Sequence, residues 1–186
     1  VVQNINSLEF DLTAAIKKVV SGENLTVGVL QKEGGLIPES ELQNLVQALS
    51  QQYNLQMIDV SEGARIGEHI TTLIIPGPTG TFTERELYVL DQYIMSGRGV
   101  FVLIDGIDVG DGLVPAANNT NFVNLLSAYG IGLNQDLIFD PVNRAQASFS
   151  QGFVQFITPY GYWITIPETG FNPDHNLVSE LESLTL

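Results

Sequence analysis

Two apolar runs joined through one helix constrain this chain more than any other feature. The first, Leu73-Ile74-Ile75, is cut off by Pro76-Gly77-Pro78-Thr79-Gly80, and the second runs from Gly99 through Val100-Phe101-Val102-Leu103-Ile104 to Asp105. Consecutive apolar residues bury both faces of a strand, which suits a parallel strand covered by helices on each side. Between the runs, Thr83 stands three residues before Glu86, the spacing of a capping box in which each side chain satisfies an orphan backbone N–H. Leu87, Val89, Leu90, Tyr93 and Ile94 then recur at mostly helical spacing until Gly97. Strand, helix and strand within about 33 residues predict one right-handed βαβ unit at the centre of a parallel sheet.

The remaining segments extend this pattern. Leu8, Leu12, Ile16 and Val19 form a helical stripe before Gly22, and Leu25–Leu30 reads as a first strand. Pro38 suits a first helical turn and opens a helix through Leu42, Leu45, Val46 and Leu49 to about Tyr53. Leu55–Val60 alternates like a strand near a sheet edge, and Ser61–His69 is a polar connection too short for a crossover helix. Gly106–Asn118 reads as a loop, after which Asn119 or Thr120 can cap a helix carrying Phe122, Val123, Leu125, Leu126 and Tyr129 up to Gly130. Asp136–Asp140 is expected as a fifth strand. Beyond Pro141, the aromatic segments Phe153–Ile157 and Tyr162–Ile166 predict added strands or a hairpin at one sheet edge, and Asp174 starts an expected last helix to about Leu184. The fold class is therefore α/β: a three-layer α/β/α, doubly wound, mostly parallel sheet, flavodoxin-like or glutamine-amidotransferase-like, with extra edge strands near the C-terminus. The flavodoxin order 2-1-3-4-5 is expected by analogy.

At 186 residues, the chain supports one domain, with a core over 8–140 and edge strands and a terminal helix over 141–186. Hydrophobic residues make up 44% and charged residues 15%, the balance of a packed globule. Seven Lys and Arg against 21 Asp and Glu give a net charge of −14, which repels phosphate backbones and argues against nucleic acid as a partner. No cysteine is present, which removes thiolate metal sites and Cys nucleophiles, including the Cys of an amidotransferase site. No apolar run is long enough to span a bilayer. A start without Met and an apolar end lead us to expect a piece of a longer chain.

Ligands of open α/β sheets bind outside the C-terminal ends of strands. Those ends offer Glu33 and Gly34, Gly77 and Thr79, Asp105 and Asp108, and Asp140 as ligand-binding candidates. The Gly77–Gly80 loop leads into a helix N-terminus, a potential anion cradle, but lacks both the P-loop and the G-x-G-x-x-G pattern, and a tight turn accounts for it as well. Asp105, Asp108 and Asp111 sit in a glycine-rich loop that can offer oxygens to a hard cation, although the spacing is not that of an EF-hand. His69 and His175 are far apart, and no G-x-S-x-G elbow accompanies them. Trp163 suits edge-strand packing better than a sugar platform. No catalytic set, metal site or cofactor is expected from these residues. A carboxylate-dependent, cation-assisted hydrolase and a flavodoxin-like small-ligand binder stand as alternatives.

Asp11-Leu12-Thr13, the segment LIIPGPTGTFTERELYVLDQYIMSGRGVFVLID, Tyr129-Gly130-Ile131, Asp140 and Pro173-Asp174-His175-Asn176 together resemble the auxiliary component of gliding-motility-type ABC transporters. The resemblance covers most of the chain, and its motifs are structural. It implies a non-catalytic domain on the extracytoplasmic side, held by transmembrane helices outside this chain. It also implies ABC permease and ATPase subunits as partners, with a small-molecule or glycan ligand as a further possibility. Relatives often carry a Gly-His-Gly-Glu-like turn after the first strand, where this chain has Lys32-Glu33-Gly34-Gly35.

Overall fold

In a computed structural model, β1 (Thr26–Gln31), α1 (Gln43–Ser50), β2 (Asn54–Asp59), β3 (Ile70–Pro76), α2 (Glu84–Met95) and β4 (Gly99–Leu103) alternate along the chain. The structure describes residues 12, 13, 16, 25–32, 35–36, 40–109, 114–151, 154–175, 178–179 and 181–185. Of the expected first helix, Leu12, Thr13 and Ile16 are described and are helical; Pro38 lies outside the described residues. The four strands pair in parallel in the order β2-β1-β3-β4, the first four places of the expected order.

Burial follows from the residue patterns. The apolar runs of β1 and β3 occupy the two central places and are buried on both faces. Leu30, Leu73 and Ile75 face one side, where they join Phe82, Leu90, Tyr93, Phe122 and Leu126 in the main core. Val27, Val29 and Ile74 are buried on the opposite face, as strand alternation requires. The alternating β2 lies at one edge, and β4 at the other leaves Phe101 half exposed. In central β1, a Cβ on Gly28 would come within 2.8 Å of Ile58 Cγ1, so only glycine lets the core close there. The sheet is flanked by helices, giving the layered α/β architecture expected.

Two expectations from this region need correction. Gly106–Asn118 is more than a loop: β5 (Ile107–Val109) and β6 (Pro115–Ala117) form an antiparallel ribbon, extended by a bond from Asn118 N to Gly106 O at 3.0 Å. The next helix, α3 (Phe122–Ala128), has Asn121 at its N-cap, and the Thr120 hydroxyl accepts from Phe122 N at 3.3 Å.

The chain divides into two compact units, Val1–Asn134 and Gln135–Leu186. The second is built on β7 (Arg144–Gln151), β8 (Val154–Pro167) and β9 (Ser183–Thr185), an antiparallel sheet in the order β7-β8-β9. Of the aromatic segments noted beyond Pro141, Val154–Ile157 and Tyr162–Ile166 lie in β8, while Phe153 is outside the described residues. Asp136–Asp140 is not a strand. Its one backbone bond to β8 joins Asp140 N to Gly161 O, Ile138 is 71% exposed, and no ladder supplies the other donors and acceptors. None of the described residues of the helix expected from Asp174 to Leu184 is helical. Isolated turn bonds such as Val178 N to His175 O and Leu181 N to Val178 O give way to β9, whose backbone finds a partner in Thr165–Pro167.

The core makes a measurable demand. Leu90 is fully buried between α2 and the sheet, so Leu90→Ala should lower the unfolding free energy by about 3 kcal/mol in urea titrations. Met95→Ala on the exposed side of the same helix should change it by less than about 0.5 kcal/mol.

Candidate functional site

The C-terminal ends of the parallel strands bring together a set of hydrogen-bonded polar groups. β1 leads into Lys32, whose Nζ donates to Glu86 Oε1 at 2.8 Å and Oε2 at 2.9 Å and lies 5.2 Å from the Phe82 ring centroid. Glu86 is the third residue of α2 and completes the expected capping box: its Oε2 accepts from Thr83 N at 2.7 Å, while Thr83 Oγ1 accepts from Glu86 N at 3.2 Å. Burial pushes the Glu86 carboxyl up, but the Lys32 ammonium and the Thr83 donors outweigh it and hold the group below the usual carboxylate range.

β3 leads into Gly77, which adopts φ 51° and donates its N–H to Leu103 O at 2.8 Å. A Cβ there would meet Leu36 Cγ at 2.6 Å, so the turn needs glycine for both space and backbone angle. The segment before α3 holds this turn. Asn118 Nδ2 donates to Pro78 O at 3.3 Å and to Asp105 O at 2.9 Å, and Thr120 Oγ1 donates to Gly80 O at 2.8 Å. Asn121 accepts from Phe82 N at 2.8 Å and donates to Phe82 O at 2.7 Å. Four side-chain hydrogen bonds thus tie Asn118–Asn121 across to Pro78–Phe82. The loop that resembled an anion cradle presents its carbonyls to these side chains, and the α2 start is closed by its own box.

The sequence candidates separate on this frame. Gly77, Thr79 and Asp105 come to one end of the sheet, because β3 and β4 run in parallel register with Pro76 beside Leu103. Thr79 and Asp105 are exposed. Asp108 stands on the β5 ribbon, also exposed. Glu33, Gly34 and Asp111 lie outside the described residues, although Gly35 N bonds to Lys32 O at 3.0 Å and fixes the ends of that turn. Asp140 belongs to the second unit. Its Oδ1 accepts from Val142 N at 2.7 Å and Asn143 N at 3.0 Å, and these donors, Asn143 first, hold its carboxyl low. Among the described residues, no group of three or more His, Asp or Glu converges as metal ligands would.

His69 Nε2 lies 2.8 Å from Gln56 Oε1 on the surface, and Trp163 packs edge-on to Tyr160 at 5.7 Å within the β8 strand. The sequence reading missed Lys32, Asn118, Thr120 and Asn121 as determinants of the strand ends. The arrangement is suited to presenting a fixed surface: its buried polar atoms are engaged in shaping the backbone, and its outward groups are Thr79, Asp105 and Asp108.

Residues 24–186 match the protein family described as an ABC-type uncharacterized transport system. No curated protein matches the chain. Among solved structures, the chain is similar to the mmIFT52 N-terminal domain at 20% identity, covering 75% of this chain and 67% of that one with a TM-score of 0.48.

The Glu86 geometry gives a pH prediction. Glu86→Gln leaves Lys32 without its counter-charge and should cost about 3 kcal/mol of stability at pH 7. Because the folded-state value is depressed, the stability owed to this carboxylate is complete above the unfolded value of 4.5 and is lost as pH falls through the lower folded value. Urea midpoints measured from pH 7 down to about 3 should therefore fall less steeply for Glu86→Gln than for the parent.

Proposed function

The chain belongs to the ABC-type uncharacterized transport system family, and from that premise we propose that it is the extracytoplasmic domain of the system's auxiliary component, acting by binding and not by catalysis. The family match over residues 24–186 carries the reading. The strand ends support it, because Asn118, Thr120, Asn121 and the Lys32–Glu86 pair build a rigid presenting surface. The partners are the permease, and through it the ATPase, of the same system; a transported small molecule or glycan is the further ligand class. Attachment by transmembrane helices outside residues 1–186 is part of this proposal; no described helix is long and apolar enough to cross a membrane. Thr79, Asp105 and Asp108 would form the contact face at the strand ends, with Gly77 shaping the turn before Thr79; Glu33 and Gly34, outside the described residues, would be further ligand contacts. Asp140 would serve the second unit alone.

Residues 1–186 contain no cysteine, so a thiol introduced there can test sidedness against the unsubstituted full-length protein as control. In the full-length protein, Met95→Cys places a thiol at a site 69% exposed. A membrane-impermeant maleimide should label it in intact spheroplasts, and labelling only after lysis would reject the extracytoplasmic assignment. Magnesium or calcium at about 5 mM should shift the melting temperature by less than about 1 °C, since only a ligand selective for the folded state raises it. A saturable rise of several degrees would favour the cation-assisted hydrolase.

A further inference from the structure

One flank of α2 carries a groove of about 370 Å³ with an unexpected charge. Only seven Lys and Arg occur in the whole chain, and three of them, Arg65, Arg85 and Arg98, line this groove. They come from three places: the β2–β3 connection, the first turn of α2, and the turn that follows α2. Arg85, Tyr88, Gln92 and Ser96 recur at intervals of three, four and four, so α2 offers a cation, a ring, an amide and a hydroxyl along one stripe. Val89 and Tyr93, both buried, give the groove an apolar floor.

Two of the three guanidinium groups are held by stacking. Arg85 lies 5.5 Å from the Tyr88 ring centroid, and Arg98 lies 5.7 Å from that of Tyr93. Gly63, at φ 77°, lets the Arg85 stem lie against its backbone; a Cβ there would meet Arg85 Cγ at 2.3 Å and Nε at 2.5 Å. None of the three forms an ion pair with a described residue, so among the described residues no carboxylate engages their N–H edges. Arg85 also occupies the second position of α2, where the helix dipole disfavours a cation. Glu68 is the single acidic residue on the lining, which leaves the groove with an excess of positive charge inside a chain of net charge −14.

We propose that this groove binds a small organic oxyanion, a molecule whose carboxylate or phosphate group is taken by Arg65, Arg85 and Arg98 while its body rests on Tyr88 and the apolar floor. Guanidinium forks match both oxyanions in bidentate fashion. An apolar base with a few converging polar groups is the usual anatomy of a small-molecule site, and this volume falls at the lower end of the range, about 300–1,000 Å³. The acidic remainder of the surface would repel a long polyanion. The inference rests on the binding reading given above but not on sidedness, so a failure of the maleimide result leaves it standing.

Calorimetry on the full-length protein at low salt would use citrate, galacturonate and glucose 6-phosphate as probes, with glucose as the neutral control. At least one anionic probe should bind saturably and at least about tenfold more tightly than glucose, and tighter binding of citrate or of glucose 6-phosphate would assign carboxylate or phosphate as the preferred group. Arg65→Gln and Arg98→Gln should each weaken that binding about tenfold while leaving the melting temperature of the free protein within a few degrees. Addition of salt should weaken it further. No saturable binding of any probe up to about 10 mM, or binding that both variants leave unchanged, would overturn the site. Binding of a Glu-rich peptide but of none of the small acids would overturn the small-molecule assignment.

Discussion

A single carboxylate sets the frame on which the first unit depends. Glu86 takes the Thr83 N–H, the Thr83 hydroxyl and both contacts of the Lys32 ammonium, and it does so at 3% exposure. A buried charge of this kind is tolerated only when it is paired and hydrogen-bonded, and removing one partner leaves the other stranded. The arrangement therefore couples two segments that the chain separates by 54 residues: the tip of β1 and the first turn of α2. Once these are fixed, Phe82 lies under the Lys32 ammonium and against Phe122 at 5.4 Å, so the polar lock and the apolar core meet at one side chain.

Much of this fold was legible because its signals are local. The capping box, the consecutive apolar runs of β1 and β3 and the alternation of β2 each lie within a few residues, and the structure places them as read. Asp136–Asp140 and the segment after Asp174 misled for the same reason. A short apolar run becomes a strand only beside a partner, and a helical start becomes a helix only when its bonds continue. Leu137 and Ile138 lack the partner; residues near His175 form single turns; Leu184 and Thr185 find the edge of β8 instead. The ribbon of β5 and β6 was hidden by glycines and a proline, which read as a loop even where three residues on each side pair.

The site was less legible than the fold. Backbone carbonyls at the strand ends are held by side chains 13 to 40 residues away, as Asn118 to Asp105 and Thr120 to Gly80 show, and no periodicity announces such bonds. Gly77, Thr79 and Asp105 could be placed together because the topology rule locates strand ends without naming their partners. The groove left a weaker trace. Arg65, Arg85 and Arg98 look like scattered surface charges, and only their number against seven cations in all, with the stripe from Arg85 to Ser96, would have marked them.

These two regions do different physical jobs, and the difference explains where recognition can reside. At the strand ends, the buried donors and acceptors already have partners within the protein, so a ligand meeting them would have to displace bonds that shape the turn. Along the flank of α2, the Arg85 and Arg98 guanidinium groups are oriented by Tyr88, Tyr93 and Gly63, but among the described residues no carboxylate matches their donor edges. Orientation without pairing is what lowers the entropic cost of binding while leaving the electrostatic gain to the ligand. The lock at Glu86 makes this possible, because it anchors the start of α2 through a charge of its own and leaves Arg85, one residue earlier, to face outward.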